Sequence, residues 1–375
     1  MTNLPPGLQQ TNPSLQADTS FPALPATSSR VARMIANAMQ MGFCDAYVNG
    51  LEVPDQLLRM LFDASVRLAY DNYQSLLVPY DWLLKESDRL AEDSEELMQV
   101  QYNLPEALFV AMLEESEILY PKYTMALWDK GAQNLKQAQT DMLDDIIAKA
   151  GIQDGDEILD LGCGWGSAAN YILAKLPNTK VTSLNLSHGQ CEYIRRKKKE
   201  ASSHLNTPGF SLYEQDFNEA AFDHQFDKII AIGLFEHVGN LTHSFKLLAS
   251  HLKENGKVFI HIITTTLPFS MTDRFINTYI FPRARIWSVN AIPKCNTDLK
   301  TVDRWFVNGL NYSKTLQAWL ANFDANQADL KNLDYGMNYE KFRRLWRLYL
   351  QLCISYFEAS DGKFLCNGQF LLEHA

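Results

Sequence analysis

The spacing of apolar residues changes near Gly151. Between about 31 and 148, apolar residues recur at helical spacing, as in "VARMIANAM" and "LLRMLFDASVRLAYDNY". Beyond Gly151, short β-rich runs alternate with helical segments through short links: "DEILDLGCGWG", "SAANYILAKL", "KVTSLNLS", "GQCEYIRRKKKEA", "FDKIIAIGLFE", "LTHSFKLLASHL" and "GKVFIHIITTT". This alternation predicts an α/β fold with a Rossmann-like, doubly wound, mostly parallel sheet and helices on both faces.

The same pattern predicts three segments. Residues 1–30 are rich in Pro, Ser, Thr, Asn and Gln and predict a disordered tail. Residues 31–148 predict a helical N-terminal region, and residues 149–375 predict the alternating domain. Within that domain, the stretch beyond about 265 is aromatic-rich and partly helical, and we expect it to form a helical cap over the ligand site.

Composition narrows the class of protein. The 375 residues are 46% apolar and 21% charged, which is typical of a soluble globular protein, and the net charge of −10 argues against nucleic acid or anionic membrane as the main partner. An apolar run long enough for a transmembrane helix and a secretory signal are both missing from the sequence. The six cysteines form no CxxC pair, so we expect reduced thiols, no metal site and a cytoplasmic location.

A glycine-rich turn follows the first predicted strand. In "ILDLGCGWGS", Gly162, Gly164 and Gly166 permit a tight turn and close approach of a ligand to the backbone. A P-loop is excluded because no Gly-Lys-Ser/Thr follows. An ordinary turn and a dinucleotide site stay open, although the helix lacks the glycine that would favour a pyrophosphate. Asp160, directly before the glycines, is placed to receive the ammonium of an amino-acid ligand.

A second polar point lies in "IGLFEHVGN". Glu236 and His237 come at the end of a predicted strand that leads into a helix, where doubly wound sheets bind their ligands. A carboxylate or an imidazole in that place can accept a proton from a nucleophile or hold an amine. Taken alone, such a pair is more often structural than catalytic.

The glycine turn and several other segments resemble those of a known group of enzymes. "LDLGCGWGS" resembles motif I of class I S-adenosylmethionine-dependent methyltransferases. The segments "YNLPEALF", "YTMALW", "LNLSHGQ", "FEHVGN", "NTYIFP" and "WFVNGLNYSKTLQAWLANFDAN" are similar to the group of cyclopropane fatty acid synthases, mycolic acid methyltransferases and coclaurine-type N-methyltransferases. The similarity runs from about Tyr102 to the C-terminus, which implies that residues 149–375 form a methyltransferase domain.

The resemblance implies S-adenosylmethionine as the cofactor and assigns its contacts. Those implied near the methionine are Tyr123, Thr124, Asp160, Gly162, Gly164 and Gly166. Those implied near the ribose are Asn185 and Gln190, amides at a place where most class I enzymes have an acid. Those implied near the adenine are Gln215, Asp216 and Phe217; a turn cap is the other reading of Asp216.

The resemblance also implies the reaction side, and there it points in two directions. Glu236 and His237 match the Glu-His of the group. Coclaurine-type enzymes usually carry a second glutamate where this chain has Gly233. Cyclopropane synthases bind a bicarbonate, and its matching contacts here are Glu236, His261 and Tyr312, with a backbone contact near Met125 in place of the usual cysteine. Tyr279 and Trp305 are the implied substrate-pocket aromatics.

Three hypotheses follow, in order. The first is methyl transfer to the nitrogen of a small-molecule amine, favoured by "NTYIFP", the missing cysteine and the acidic charge. The second is C-methylation or cyclopropanation of an unsaturated fatty acyl lipid, although no basic amphipathic helix for approaching a bilayer is evident. The third is a methyltransferase-like binding or scaffold protein without catalysis. The expected partner is a small molecule, without stable membrane insertion, and a homodimer is left open.

Overall fold

The computed structural model describes residues 27–71, 104–295 and 297–375. Helix α1 spans Thr27–Val48, α2 spans Asp55–Asp71 and α3 spans Glu106–Leu113. The tail predicted over residues 1–30 lies outside the described residues except for 27–30, with which α1 begins, and it stays a prediction. The other end of α1 packs into the core through the buried side chains of Cys44, Tyr47 and Val48.

Helix α4 (Leu135–Ala150), which Asn134 caps through Gln137 N–H and which ends at Gly151 with φ +63°, precedes the alternating elements. The elements that follow are β1 (Glu157–Leu161), α5 (Ser167–Lys175), β2 (Lys180–Asn185), α6 (His188–Lys197), β3 (Phe210–Glu214), β4 (Phe226–Ile232), a 3₁₀ turn (Phe235–His237), α7 (Leu241–His251) and β5 (Leu252–Thr265). Strands and helices thus alternate as the apolar pattern predicts.

The remaining elements form the cap and the far edge of the sheet. They are α8 (Arg274–Tyr279), β6 (Trp287–Ser288), α9 (Ala291–Lys294), β7 (Leu299–Val307), α10 (Leu310–Ala325), α11 (Gln327–Leu330), α12 (Tyr339–Gly362) and β8 (Leu365–His374). Helix α12 loses helical geometry at Ala359, and Ser360 and Asp361 have positive φ. The described residues contain no helix both long and apolar enough to cross a bilayer.

The sheet has the order β3-β2-β1-β4-β5-β8-β7, with β6 paired to β5 off this path. Strands β1 to β5 are parallel, and β8 lies antiparallel between β5 and β7. The chain moves outward from β1 to β3 and then returns to β4 on the other side of β1. This reversal is a topological switch point, which places a crevice for ligands at the carboxyl ends of β1 and β4.

The side chains of alternate strand residues pack into two separate hydrophobic cores, one on each face of the sheet. Ile158, Ile230 and Phe259 pack with α4 and the N-terminal helices on one face. The side chains of Leu159 and Ile229 point to the opposite face of the sheet and pack with α7 there. Asp160 lies in register with Ile230, and Ile232 lies in register with His261, so the polar groups at the strand ends belong to the first face.

Candidate active site

The glycine turn after β1 adopts a backbone that favours glycine. The φ angles of Gly162, Gly164 and Gly166 are +73°, +55° and +80°. A Cβ on Gly162 would lie 3.0 Å from Leu234 Cδ1, and one on Gly166 would lie 3.2 Å from Ile194 Cγ1, whereas a Cβ on Gly164 would meet nothing within 4 Å. Gly162 and Gly166 are therefore required by packing, and Gly164 faces open space.

That open space is a cavity at the switch point. The glycine turn forms one wall, residues 121–124 form another, and Gly233 and Leu143 contribute to the rest. Of the predicted cofactor residues, the ones that line it are Tyr123, Thr124, Asp160, Gly162, Gly164 and Gln190. Segments that lie far apart in the sequence are thus brought to one cavity.

Three residues that line this cavity have a buried polar atom without a hydrogen-bond partner in the described part of the chain. Asp160 is 2% exposed, and its Oδ2 has no hydrogen-bond partner among the described residues. The same holds for Thr124 Oγ1 and Ser167 Oγ. Burial raises the pKa of Asp160 to about 7. Because buried polar groups without partners are costly, the cavity suits a polar ligand, and the ammonium and carboxylate of a methionine group fit these donors and acceptors.

The two amides predicted near the ribose are bonded to each other. Asn185 Nδ2 donates to Gln190 Oε1 at 2.8 Å and to the carbonyl oxygen of Gly164 at 3.0 Å. Gln190 lines the cavity. Asn185 thus braces the glycine turn, and Gln190 presents the polar surface to a ligand.

The residues predicted near the adenine follow β3 and lie outside the cavity lining. Gln215 is exposed, and its N–H donates to the carbonyl oxygen of Asn185 at 3.1 Å. Asp216 Oδ1 accepts from Asn218 N at 2.9 Å, so Asp216 does cap a turn. Phe217 is buried, with its ring centroid 5.8 Å from that of His251. Their contact with adenine stays a prediction.

Glu236 presents one fixed oxygen and one unpartnered oxygen. The 3₁₀ turn after β4 lets Glu236 Oε1 accept from Ile263 N at 2.9 Å. Its Oε2 is buried without a hydrogen-bond partner in the part of the chain that the structure describes, and burial raises the pKa of Glu236 to about 7. Burial lowers the pKa of His237 to about 4, so its imidazole is neutral at neutral pH.

His261 is held at both ring nitrogens by amides of β8. Asn367 Nδ2 lies 2.9 Å from His261 Nε2, and Gln369 Nε2 lies 3.2 Å from Nδ1. If Gln369 donates to Nδ1, the ring carries its proton on Nε2, and Asn367 Oδ1 becomes the matching acceptor when that amide is turned over. Burial, with Lys122 and Lys149 nearby, lowers the pKa of His261 to about 3. The imidazole is therefore neutral and directed at β8.

The comparisons with known proteins decide the family. The family model described as mycolic acid cyclopropane synthetase matches residues 89–365. The chain belongs to this family. The resemblance to this group of methyltransferases is thereby confirmed.

Relatives of this family member include both chemistries that the sequence leaves open. It is 31% identical over 263 residues to the cyclopropane-fatty-acyl-phospholipid synthase of Escherichia coli, a match that covers 69% of this chain and 64% of the relative. The chain thus spans just under two thirds of that enzyme. It is 27% identical over 277 residues to the (S)-coclaurine N-methyltransferase of Papaver somniferum, covering 70% of this chain and 78% of the relative.

Solved structures confirm the predicted fold. A coclaurine N-methyltransferase bound to N-methylheliamine and SAH superposes with a TM-score of 0.77 at 21% identity, covering 89% of this chain and 99% of the other. A cyclopropane synthase of Mycobacterium tuberculosis gives a TM-score of 0.64 at 23% identity, covering 76% and 99%. The α/β methyltransferase fold is therefore the fold of this family member.

Three further predicted site residues, like Glu236, His237 and His261, lie outside the cavity lining. Tyr312 is buried and stacks on Phe357 with centroids 4.3 Å apart. The hydroxyl of Tyr279 donates to Asp45 of α1, which joins α8 to the N-terminal region. Trp305 lies on β7 under the ammonium of Lys149, 5.4 Å from the ring centre. A role for Tyr279 and Trp305 in binding substrate stays a prediction.

An aromatic cluster surrounds Tyr123, and the sequence reasoning missed one of its members, Tyr349. Tyr123 lies 5.1 Å from Trp319 and 6.4 Å from Phe281 between ring centroids, and its hydroxyl lies 3.0 Å from that of Tyr349. Phe281 in turn lies 5.6 Å from the imidazole of His237. We name these four residues, Tyr123, Phe281, Trp319 and Tyr349, the aromatic cluster. The run "FRRLWRLYL" of α12 was the available signal for Tyr349.

Lys122 is the second residue that was missed. It lines the cavity, is 5% exposed, and donates from Nζ to the carbonyl oxygens of Thr124 at 3.2 Å and Met125 at 2.5 Å. Burial lowers its pKa to about 7. A lysine in a short connecting segment gives no sequence signal of burial, since lysine is usually exposed.

Proposed function

We propose that this protein transfers a methyl group from S-adenosylmethionine to the nitrogen of a small-molecule amine. The observation that carries the proposal is the buried Glu236 carboxylate, which has one oxygen fixed by Ile263 N–H and one oxygen without a partner among the described residues. The next residue in the chain, His237, has its ring 5.6 Å from that of Phe281, a member of the aromatic cluster.

The part of the proposal that concerns the cofactor is supported by the cavity at the switch point. Gly164 leaves room for close approach of a ligand to the backbone, and Asp160 and Thr124 offer unpartnered polar atoms to its amino-acid end. When bound, S-adenosylmethionine supplies an electrophilic methyl group on its sulfonium. The protein's part is to hold an acceptor in line with that methyl and to exclude water.

Glu236 suits an amine acceptor because an amine is nucleophilic only when it is unprotonated. A carboxyl group with a pKa of about 7 can accept a proton near neutral pH. The Ile263 N–H holds Oε1, which fixes the direction of the unpartnered Oε2. Glu236 can therefore bind an ammonium and accept its proton.

The aromatic cluster adds affinity for a cation. Tyr123 and Phe281 contribute ring faces and edges near His237, and aromatic faces attract ammonium groups by about 0.5–2 kcal/mol. A neutral imidazole at His237 adds no repulsion at neutral pH. The cluster therefore favours a protonated amine over a neutral alkene.

This chain has Gly233 where coclaurine-type enzymes usually have a second glutamate, and the structure gives a reason for the glycine. Gly233 has φ +70°, and a Cβ there would lie 2.9 Å from Thr124 Cγ2. A side chain at this position would strain the backbone and displace Thr124. The proposal therefore assigns the acid–base role to Glu236 alone.

A second candidate is methyl transfer to the alkene of a fatty acyl lipid. It is supported by the 31% identity to the Escherichia coli synthase and by the presence of Glu236, His261 and Tyr312. The bicarbonate cage that the resemblance implies fits less well, because β8 amides hold both nitrogens of His261. We therefore rank the amine first.

One assay separates the candidates. The purified protein is incubated with methyl-labelled S-adenosylmethionine and either a panel of primary to tertiary amines or vesicles of unsaturated phospholipid. We expect labelled methyl on nitrogen, abolished in Glu236→Gln and retained in Glu192→Gln, which alters an exposed glutamate paired with Arg195. Label found only in the lipid would overturn the amine proposal, and activity dependent on added bicarbonate would count against it.

A further inference from the structure

Lys122 and Asp160 are two buried, opposite charges that face the same cavity. Both line it, at 5% and 2% exposure. Lys122 Nζ contacts two carbonyl oxygens, and no carboxylate lies within ion-pair distance of it in the described ranges. Asp160 Oδ2 likewise has no partner there. Each of the two groups can therefore form an ion pair with a ligand that binds in the cavity.

The balance of charge specifies the occupant. A buried charge without a partner is costly, and two of opposite sign that do not pair with each other are complementary to a ligand bearing both signs. The ammonium of Lys122 has three hydrogens, of which two go to the carbonyls of Thr124 and Met125. One donor is left for a ligand anion, and the Thr124 hydroxyl beside it is a second.

We propose that Lys122 binds the carboxylate of an α-amino acid group whose ammonium binds to Asp160, namely the methionine end of the cofactor. This inference rests on the proposed function for the identity of the cofactor. The glycine turn supports it, because the turn forms the wall of the cavity that Lys122 and Asp160 share. Lys122 is accordingly a cofactor-binding residue. The methyl acceptor therefore needs no acidic group to pair with Lys122.

The test is isothermal titration of the full chain with two ligands. One is S-adenosylhomocysteine, and the other is the analogue that lacks only the carboxylate. In the wild type, we expect loss of the carboxylate to weaken binding by about 10- to 100-fold, the range for a hydrogen bond to a charged group. In Lys122→Met, affinity for S-adenosylhomocysteine should fall by a similar factor, while the analogue binds wild type and variant within about twofold.

Matched variants guard against a folding artefact. Lys122→Gln keeps an N–H donor for the carbonyls but removes the charge, and it should behave like Lys122→Met. Lys198→Met removes another lysine that donates to a backbone carbonyl, that of Phe210, and should retain wild-type discrimination. Asp160→Asn is titrated with a third ligand, the analogue of S-adenosylhomocysteine that lacks only the ammonium, and should discriminate less than wild type between this analogue and S-adenosylhomocysteine.

The outcomes separate this inference from the proposed function. If wild type binds S-adenosylhomocysteine and Lys122→Met weakens both ligands equally, or neither, the carboxylate role of Lys122 is overturned while the methyltransferase proposal stands. If the wild type binds neither ligand, both are overturned. A change confined to the KM of acidic acceptors would place Lys122 at the acceptor and overturn the inference.

Discussion

At the level of single residues, two residues that line the cavity, Lys122 and Asp160, and Glu236 after β4 have pKa values near neutrality. Burial raises the pKa of Asp160 and of Glu236 to about 7 and lowers that of Lys122 to about 7. Each group therefore changes charge close to physiological pH. Ligand binding and proton transfer at this site should both respond to small changes in pH.

Glu236→Gln is expected to lower kcat by about 10²–10⁴, because the amide cannot accept the proton, and to leave cofactor affinity nearly unchanged. In the wild type, the pH profile of kcat/KM should rise through about 7 as Glu236 ionises, and the variant should lack this limb. Steady-state kinetics and cofactor titration measure both quantities. Equal losses of turnover and affinity would indicate a structural role instead.

Asp160 should make the ligand-free protein less stable at higher pH. Its folded-state pKa of about 7 lies above the ordinary value of 3.8, so the native state retains a proton between these values that the unfolded state has lost. The free energy of unfolding therefore decreases as pH rises from about 3.8 to about 7, by about 4 kcal/mol in total, and levels off above that. Thermal melts of Asp160→Asn against wild type should show a larger gain for the variant at pH 8 than at pH 5. The same difference at both values would contradict the assignment.

At the level of the element, different glycines of the glycine turn serve packing and ligand binding: Gly162 packs against Leu234, and Gly164 faces the cavity. Gly164→Ala should leave the fold intact, because the added methyl would meet no atom within 4 Å, and cost about 1–2 kcal/mol in backbone strain. It should weaken cofactor binding, since that methyl would project into the space a ligand needs. Gly162→Ala should lose more stability, because its methyl would lie 3.0 Å from Leu234. Chemical denaturation and cofactor titration of both variants test this, and unchanged cofactor affinity in Gly164→Ala would refute the site.

The strands show how far local pattern predicts structure. The strands β1, β4 and β5 each contain a short run of mostly apolar residues, such as "IIAI" in β4 and "VFIHII" in β5, and the sequence predicts these strands. Strand β8 reads "LCNGQFLLEH", in which Asn367 and Gln369 interrupt the apolar run. These amides are buried because they bond to His261 on β5, a partner that the sequence pattern does not reveal.

At the level of the whole molecule, the N-terminal helices pack on the cap of the domain. Arg347 of α12 pairs with Asp55 of α2, and Asp45 of α1 accepts from the Tyr279 hydroxyl of α8. Cys44, Tyr47 and Val48 are buried in the same core as the aromatic cluster. The helical region therefore supports the acceptor side of the site.

Removing α1 should weaken the acceptor side selectively. A chain that begins at residue 51 loses the burial of Cys44, Tyr47 and Val48, for an expected decrease of about 5 kcal/mol in the free energy of unfolding. It should also raise the KM of the acceptor, because α8 and Phe281 lose support, while cofactor affinity persists. A chain that begins at Thr27 retains α1 and is the control. Equal stability of the two truncated chains would contradict the prediction.

The sequence by itself determined the alternating elements, the glycine turn at the end of β1, Glu236 and His237 after β4, and the family, because each depends on residues that are neighbours in the chain. Tertiary structure alone decided the surroundings of these groups. It placed Lys122 in the cavity with Asp160, turned His261 toward Gln369, 108 residues away, and joined Tyr279 to Asp45, 234 residues away. The reason is physical: burial and pairing of polar groups depend on which distant segments pack together, and no local pattern records that.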